Sequence, residues 1–172
     1  MPLTSLLPRV LARLVVCLVV CLAACAVLSA CATSRNTDPV QLRTRLTAST
    51  DLNPDGSGRP SPVVVRVFGL RTDSEFTSAE FFALFDREKE ALSATLLGSQ
   101  EYVLQPGETR ELRVPLSREA RYVGVVAAYR DIRGARWRAV ARAPRKTWTD
   151  TFSRDVIVIG AGRSSLTLAV AD

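Results

Sequence analysis

All four cysteines lie within the first 31 residues of the chain, at Cys17, Cys21, Cys25 and Cys31. The rest of the 172-residue chain therefore contains no residues that disulfides could cross-link, and a domain formed there depends on its hydrophobic core. The chain also contains no histidine. This excludes Ser-His-Asp and Cys-His catalytic groups and removes the commonest zinc ligand.

The cysteine-bearing segment has the features of an export signal. Its only charges are Arg9 and Arg13, and the uncharged apolar stretch that follows ends in small residues. Residues 28–31 read LSAC, which resembles the bacterial lipobox. In that signal the cysteine receives a diacylglycerol and, after cleavage, an N-acyl chain, which here would be carried by Cys31.

Two other interpretations of this segment stay open. Residues 22–25 read LAAC and also fit a lipobox, but use of Cys25 would leave the apolar segment AVLSAC on the mature chain. Residues 14–32 are uncharged and just long enough to span a bilayer of about 30 Å as an uncleaved helix. Each interpretation places the rest of the chain outside the cytoplasm.

Cleavage before Cys31 would divide the chain into three parts. These are a signal peptide over residues 1–30, a lipidated tether over 31–39 and a folded domain over 40–172. The cleaved chain keeps 142 residues, and its side-chain charge falls from +6 to +4 because two arginines leave with the signal. A domain of this size buries enough surface to fold without disulfides. The one cysteine that the cleaved chain keeps, Cys31, would be acylated. We therefore expect no cofactor and only the covalent lipid on Cys31.

The pattern after position 39 predicts mainly β-structure. Strands are predicted where apolar and polar residues alternate or where β-branched residues cluster. A closing hairpin is expected to direct Leu166, Leu168 and Val170 inward. About seven short strands with regular turns indicate a β-sandwich. The predicted strands cover 40–48, 63–70, 102–104, 109–116, 122–129, 136–143, 156–159 and 164–171, of which 122–129 is apolar throughout and is expected to be covered on both faces.

One segment departs from this pattern and predicts a helix over residues 76–97. Thr77 and Glu80 match a capping box, and Gly98 suits the left-handed residue beyond a helix end. The charged run DREKE at 86–90 interrupts the apolar face, so the helix is expected to break there. We expect its phenylalanines to pack against a sheet, with the helix covering one edge or one end of the sandwich.

The segment between the first two predicted strands, residues 49–62, is long and rich in Pro, Gly, Asp and Asn. Its opening DLNPDG resembles a calcium loop, but the position of the bidentate glutamate is Pro62 and no flanking helix is predicted. Loops of this length are uncommon and often functional. Its three prolines reduce the freedom lost on binding. The sequence therefore favours a semi-rigid docking loop over a plain connection.

A basic run with nearby tryptophans extends from Arg130 to Lys146. Such runs can bind single-stranded nucleic acid, but export and the placement of Arg136, Arg138 and Arg142 on one strand face favour a solvated surface. Contact with anionic headgroups or an acidic protein stays open. The serines have no histidine base, so we expect no enzymatic activity. We also expect no nucleic-acid partner and no small-molecule substrate.

Five blocks of the sequence resemble one protein family. The blocks DLNPDGSGRPSPVVVRVFGL, FFALFDREKEAL, VLQPGETREL, RYVGVVAAYRDI and WRAV occur in that order between residues 51 and 140. Together with the lipobox they are similar to the outer-membrane lipoprotein of the bacterial type VI secretion system, the TssJ family. The resemblance is weakest from Pro144 to Asp155.

The resemblance implies a transthyretin-like two-sheet β-sandwich with a helical insertion, anchored on the periplasmic face of the outer membrane. The residue after the acylated Cys31 is Ala32 and not Asp. An Asp at this position would oppose sorting to the outer membrane, whereas Ala agrees with it. The implied partner is the periplasmic C-terminal region of the inner-membrane protein TssM, in a membrane complex with TssL. The family binds that partner through the loop between its first two strands. Carried onto this chain, the binding residues are Asp51, Asn53, Pro54, Asp55, Gly56, Arg59 and Pro60.

The rival interpretation is an unrelated β-sandwich lipoprotein of the envelope, such as a pilotin-like chaperone or a carrier. A carrier needs a large apolar cavity, whereas the inward residues predicted here suffice only to fill a core. Neither interpretation requires catalysis.

Overall fold

Two four-stranded sheets form the folded part of the chain in a computed structural model that describes residues 39–144 and 156–171. The strands are β1 (Val40–Ala48), β2 (Val63–Leu70), β3 (Leu96–Leu104), β4 (Thr109–Leu116), β5 (Tyr122–Ala127), β6 (Arg138–Arg142), β7 (Val156–Ala161) and β8 (Leu166–Ala171). The first sheet has the order β4-β1-β7-β8 and the second the order β3-β2-β5-β6. All neighbouring strands are antiparallel except β1 and β7, which are parallel.

The main core lies between the two sheets. Alternate residues of β1 from Leu42 to Ala48 are buried and the residues between them are exposed, as expected for a strand covered on one face. They pack with inward residues of the second sheet such as Val65 and Val125. The predicted two-sheet sandwich is confirmed.

A helical layer covers the outer face of the second sheet. It consists of α1 (Ser74–Ser78), α2 (Phe81–Asp86), α3 (Glu88–Leu92) and a 3₁₀ turn (Ser93–Thr95). Phe76 and Phe81 pack there against Phe68 of β2 and Val126 of β5. The expectation that this insertion covers an edge or an end is wrong. Because the layer covers a sheet face, β5 is buried on both sides, as its sequence predicts.

The predicted capping box is wrong. Thr77 lies inside α1, where its hydroxyl donates to the carbonyl oxygens of Asp73 at 2.8 Å and Ser74 at 3.0 Å. Glu80 precedes α2 and makes no side-chain capping bond. The segment folds as two short helices separated by two extended residues, Ala79 and Glu80, so Thr77 and Glu80 cannot cap the same helix.

The predicted break within DREKE is confirmed, because α2 ends before Arg87 and α3 begins after it. The helical end is displaced, however. The last helical turn ends at Thr95, and Gly98 lies inside β3. Leu96 pairs with Leu70 of β2. The local sequence pattern of these residues favours a helix, but pairing with β2 places them in the sheet.

The closing hairpin is confirmed with one exception. Leu166 is buried and Leu168 packs against the core, but Val170 is 38% exposed. β8 is an edge strand of its sheet, so the opposing sheet does not cover its last residues. The inward placement predicted for Val170 is therefore wrong.

Several predictions concern residues outside the described ranges. These are the signal peptide, the acylation site at Cys31 or Cys25, most of the tether, and residues 145–155, which include Arg145, Lys146 and Trp148 of the basic region. Within residues 39–144 and 156–171, no helix is long and apolar enough to cross a membrane.

Candidate functional site

The predicted docking loop, residues 49–62, joins β1 to β2 and crosses from one sheet to the other. Strand pairing brings three other connections to the same end, because Thr47 pairs with Thr109, Ala48 with Ala161, and Val65 with Ala127. These connections are the β3–β4 turn at 105–108, the β5–β6 connection at 128–137 and the β7–β8 turn at 162–165. We call this the loop end of the sandwich.

Asn53 joins three of these segments. Its backbone N–H donates to the carbonyl oxygen of Arg163 at 3.0 Å. Its side-chain Oδ1 accepts the backbone N–H of Arg130 at 2.8 Å, and Nδ2 donates to the carbonyl oxygen of Pro62 at 2.7 Å. The residue is 4% exposed and has a φ of 46°, a left-handed conformation that Asn adopts more readily than most residues. The structure therefore places Asn53 beneath the surface of the loop end.

Asp55 closes the tip of the loop. Its Oδ1 accepts the backbone N–H groups of Ser57 at 2.9 Å and Arg59 at 3.0 Å, and its Oδ2 accepts Nε of Arg59 at 2.9 Å. The hydrogen bond from the Arg59 backbone lowers the pKa of the Asp55 carboxyl below its usual value of 3.8. Gly58, with a φ of 77°, supplies the left-handed residue of this turn. The tip is thus ordered by its own hydrogen bonds.

The predicted binding residues divide into two groups. Asp51, Gly56, Arg59 and Pro60 are exposed, and Pro54 and Asp55 are half-buried, whereas Asn53 is buried. Leu52, which the sequence analysis did not select, is fully buried in the main core and anchors the loop. Its apolar side chain in an otherwise polar loop is a signal that could have identified it.

An open cleft of about 570 Å³ lies beside the loop. It is formed by part of the predicted loop together with residues of the β5–β6 connection and the β7–β8 turn. The sequence did not predict that these segments lie beside the loop. Its lining residues are Asn53, Pro54, Asp55, Gly56, Tyr129, Arg130, Asp131, Gly134, Arg163 and Ser164. Tyr129 is buried at the base of this region, and burial raises the pKa of its hydroxyl to about 12. The hydroxyl is therefore neutral at physiological pH.

The basic run does not form one solvated face. Arg136 and Arg142 are exposed, but Nη1 of Arg138 donates to the carbonyl oxygens of Phe76 at 3.0 Å and Ala79 at 2.7 Å. The Arg138 guanidinium also lies 4.8 Å from the Trp137 ring centroid. Arg138 therefore fastens the helical layer to β6, which corrects the expectation that it is solvated.

The acidic residues of the loop pair with different arginines. Asp55 pairs with Arg59 at 2.8 Å, and Asp51 lies 3.9 Å from Arg163. Among residues 39–144 and 156–171, no group of three or more His, Cys, Asp or Glu could hold a metal ion.

Solved structures of type VI secretion proteins are similar to this chain. The lipoprotein TssJ1 from Pseudomonas aeruginosa is 30% identical, with a TM-score of 0.68, over 78% of this chain and 98% of that one. Lip from Serratia marcescens, a membrane-bound component of the type VI secretion system, is 32% identical, with a TM-score of 0.67, over 78% and 99%. A comparison with curated proteins gave no match.

A third similar chain belongs to a solved structure described as the C-terminal domain of the T6SS protein TssM from EAEC. It is 26% identical to this chain, with a TM-score of 0.58, over 76% of this chain and 98% of that one. The sequence model of the type VI secretion lipoprotein family, described as VasD, EvfM and TssJ, matches residues 40–170. The chain belongs to this family, the TssJ lipoproteins of type VI secretion.

Proposed function

We propose that this chain is the outer-membrane lipoprotein of a type VI secretion membrane complex and docks onto the periplasmic C-terminal region of TssM through the loop end. The acyl chains would be carried by Cys31, with residues 1–30 removed as the signal peptide and 31–39 serving as tether. Membership of the TssJ family supports the complex, and similarity to a chain from a structure named for TssM supports the partner. TssL would belong to the same complex.

The ordered tip of the loop is the observation that carries the docking proposal. Asp55 holds the tip through hydrogen bonds to Ser57 and Arg59, and Asn53 holds its base. A loop that is already ordered loses little conformational entropy when it binds. The exposed residues Asp51, Gly56, Arg59 and Pro60, with Pro54 beside them, would supply the contact surface, and Asn53 would position it.

The position of the loop supports the same role. Val40, where the tether joins the domain, lies beside Leu116 at the opposite end of β1 from the loop. Nine strand residues separate the two ends by about 30 Å. The loop end would therefore project from the anchored end into the periplasm. Several anchored copies would raise the local concentration and make a modest single contact effective.

A carrier role has less support. The loop-end cleft and a second cleft beside α3 are lined mainly by polar and charged residues, whereas lipid and small-molecule carriers use apolar cavities. The family is a structural lipoprotein family of type VI secretion, and we infer a docking role without catalysis.

A bulky substitution at Gly56 tests the docking proposal. Gly56 is exposed, a Cβ added there meets no atom within 4 Å, and its φ is not left-handed, so Gly56→Trp should preserve the fold. Co-purification with the periplasmic region of TssM should fall at least roughly tenfold. The matched control is Gln41→Trp on the exposed face of β1. Equal capture of TssM by both variants would contradict docking at the loop end.

The lipid anchor needs a separate test. Cys31→Ser should abolish incorporation of labelled palmitate and release the chain from the outer-membrane fraction, whereas Cys25→Ser should leave both unchanged. Labelling that depends on Cys25 instead would move the acylation site.

A further inference from the structure

The loop-end cleft is lined by two arginines, Arg130 and Arg163, and by two aspartates, Asp55 and Asp131. We propose that it binds a carboxylate-bearing segment of the docking partner, held between the guanidinium groups of Arg130 and Arg163. This inference rests on the proposed function, because it specifies the chemistry of the partner at the same site.

Both carboxylates that line the cleft accept hydrogen bonds from their own chain. Asp55 accepts hydrogen bonds from Ser57 and Arg59. Asp131 accepts the backbone N–H of Gly134 at 3.1 Å through Oδ1. Hydrogen bonds from Arg59 and Ser57, together with the charge of Arg130, lower the pKa of the Asp55 carboxyl. Asp55 therefore partly balances the charge of Arg130 without using its guanidinium hydrogen-bond donors.

The two arginines of the cleft are much less engaged. Arg163 has an ion pair with Asp51 at 3.9 Å, and both side chains are more than half exposed. An ion pair with this distance and this solvent exposure is weak. Within the described residues, the one hydrogen bond donated by Arg130 is from its backbone N–H to Asn53. Both guanidinium groups therefore keep donors available for a ligand.

Asn53 fixes the positions from which these arginines extend. It accepts the backbone N–H of Arg130 at 2.8 Å and donates to the carbonyl oxygen of Arg163 at 3.0 Å. The backbones of both arginines are thus held by one buried residue. A fixed backbone lowers part of the entropy lost when the two side chains bind an anion.

The size and shape of the cleft favour an extended segment. Its volume of about 570 Å³ is open to solvent on one side, which suits a few side chains of a partner and not a folded element. An Asp or Glu in that segment could accept two parallel hydrogen bonds from one guanidinium. Arginine forms this bidentate contact with a carboxylate, and lysine does not. The sequence left open that an acidic protein contacts the basic run. Such a partner would therefore bind at Arg130 and not along the whole run.

Binding measurements with arginine variants test this inference. The full-length lipoprotein in detergent is titrated with the purified periplasmic C-terminal region of TssM at low and high salt. Arg130→Gln and Arg163→Gln should each weaken binding about tenfold, as loss of one charge-assisted contact would. The double variant should also show a weaker salt dependence than the unaltered chain.

Arg133→Gln is the matched control, since Arg133 is exposed in the same connection but does not line the cleft. It should bind within about twofold of the unaltered chain. If the double variant binds normally while Gly56→Trp does not, docking at the loop end stands and the carboxylate inference is overturned. If the unaltered chain fails to bind TssM, the proposed function and this inference both fail.

Discussion

Asn53 and Arg130 are 77 positions apart in sequence, and a 2.8 Å hydrogen bond joins the side-chain oxygen of the first to the backbone N–H of the second. This bond ties the β1–β2 loop to the β5–β6 connection. Backbone bonds also join each of these segments to the β7–β8 turn, from Asn53 to Arg163 and from Arg136 to Ser164. The predicted docking loop and the arginines of the cleft therefore belong to one ordered surface.

Loss of the Asn53 side chain should destabilise the domain. Asn53→Ala removes the part-buried hydrogen bonds to the N–H of Arg130 and the carbonyl oxygen of Pro62 and places Ala at a left-handed φ. We expect a loss of roughly 2–4 kcal/mol in the free energy of unfolding, measured by urea denaturation. Ser57→Ala, at an exposed position of the same loop, should change it by less than about 0.5 kcal/mol. Equal stability of the two variants would show that the Asn53 bonds do not hold the loop end together.

Two glycines of the loop provide a matched pair for backbone strain. Gly58 has a φ of 77° and Gly56 does not have a left-handed φ, and neither has an atom within 4 Å of an added Cβ. Gly58→Ala should therefore cost about 1 kcal/mol through backbone conformation alone. Gly56→Ala should leave the free energy of unfolding unchanged or slightly raised. A reversed order of the two melting temperatures would disprove the assigned turn.

Adjacent phenylalanines of α2 should differ sharply in their effect on stability. Phe81 is buried and its ring lies 5.3 Å, centroid to centroid, from those of Phe85 and Trp137, whereas Phe82 is 63% exposed. Phe81→Ala should cost roughly 3–5 kcal/mol, and Phe82→Ala less than about 1 kcal/mol. Thermal unfolding of both variants measures the difference. Similar losses would mean that the helical layer does not pack as described.

Glu75 should contribute to the loss of folding stability at acidic pH. Hydrogen bonds, chiefly from the Ser74 hydroxyl and then from its own backbone N–H and Thr72, lower the pKa of the Glu75 carboxyl from 4.5 to about 2. Because the folded-state pKa is depressed, the stabilisation is complete above pH 4.5 and is lost as the pH falls through about 2. A carbon-detected NMR titration should give this midpoint, and Glu75→Gln should flatten the stability profile between these values. A midpoint near 4.5 would refute the assignment.

The strands were predictable because their signal is local. In β1 the alternation of side chains alone identifies the buried face, and in β5 the continuous apolar run predicts burial on both faces. The helical insertion was only partly predictable. The break at Arg87 follows from local charge, but the transfer of Leu96 and Gly98 into β3 depends on pairing with β2.

The candidate site shows the same division. The loop at 49–62 can be recognised from its length and composition. The burial of Asn53 cannot, because its partners are Arg130 and Arg163, which the sheet topology brings to the same end. Deletion of 51–58, a natural first experiment from the sequence, would therefore also remove buried Leu52 and Asn53. Substitution at exposed Gly56 avoids that loss.

Hydrogen–deuterium exchange in the presence and absence of the TssM periplasmic region tests whether the lipoprotein docks through the loop end. We expect peptides covering residues 54–60 and 130–134 to gain protection when TssM binds, while peptides of α1 to α3 exchange at unchanged rates. Protection confined to the helical layer, with unchanged exchange at 54–60, would contradict docking through the loop end.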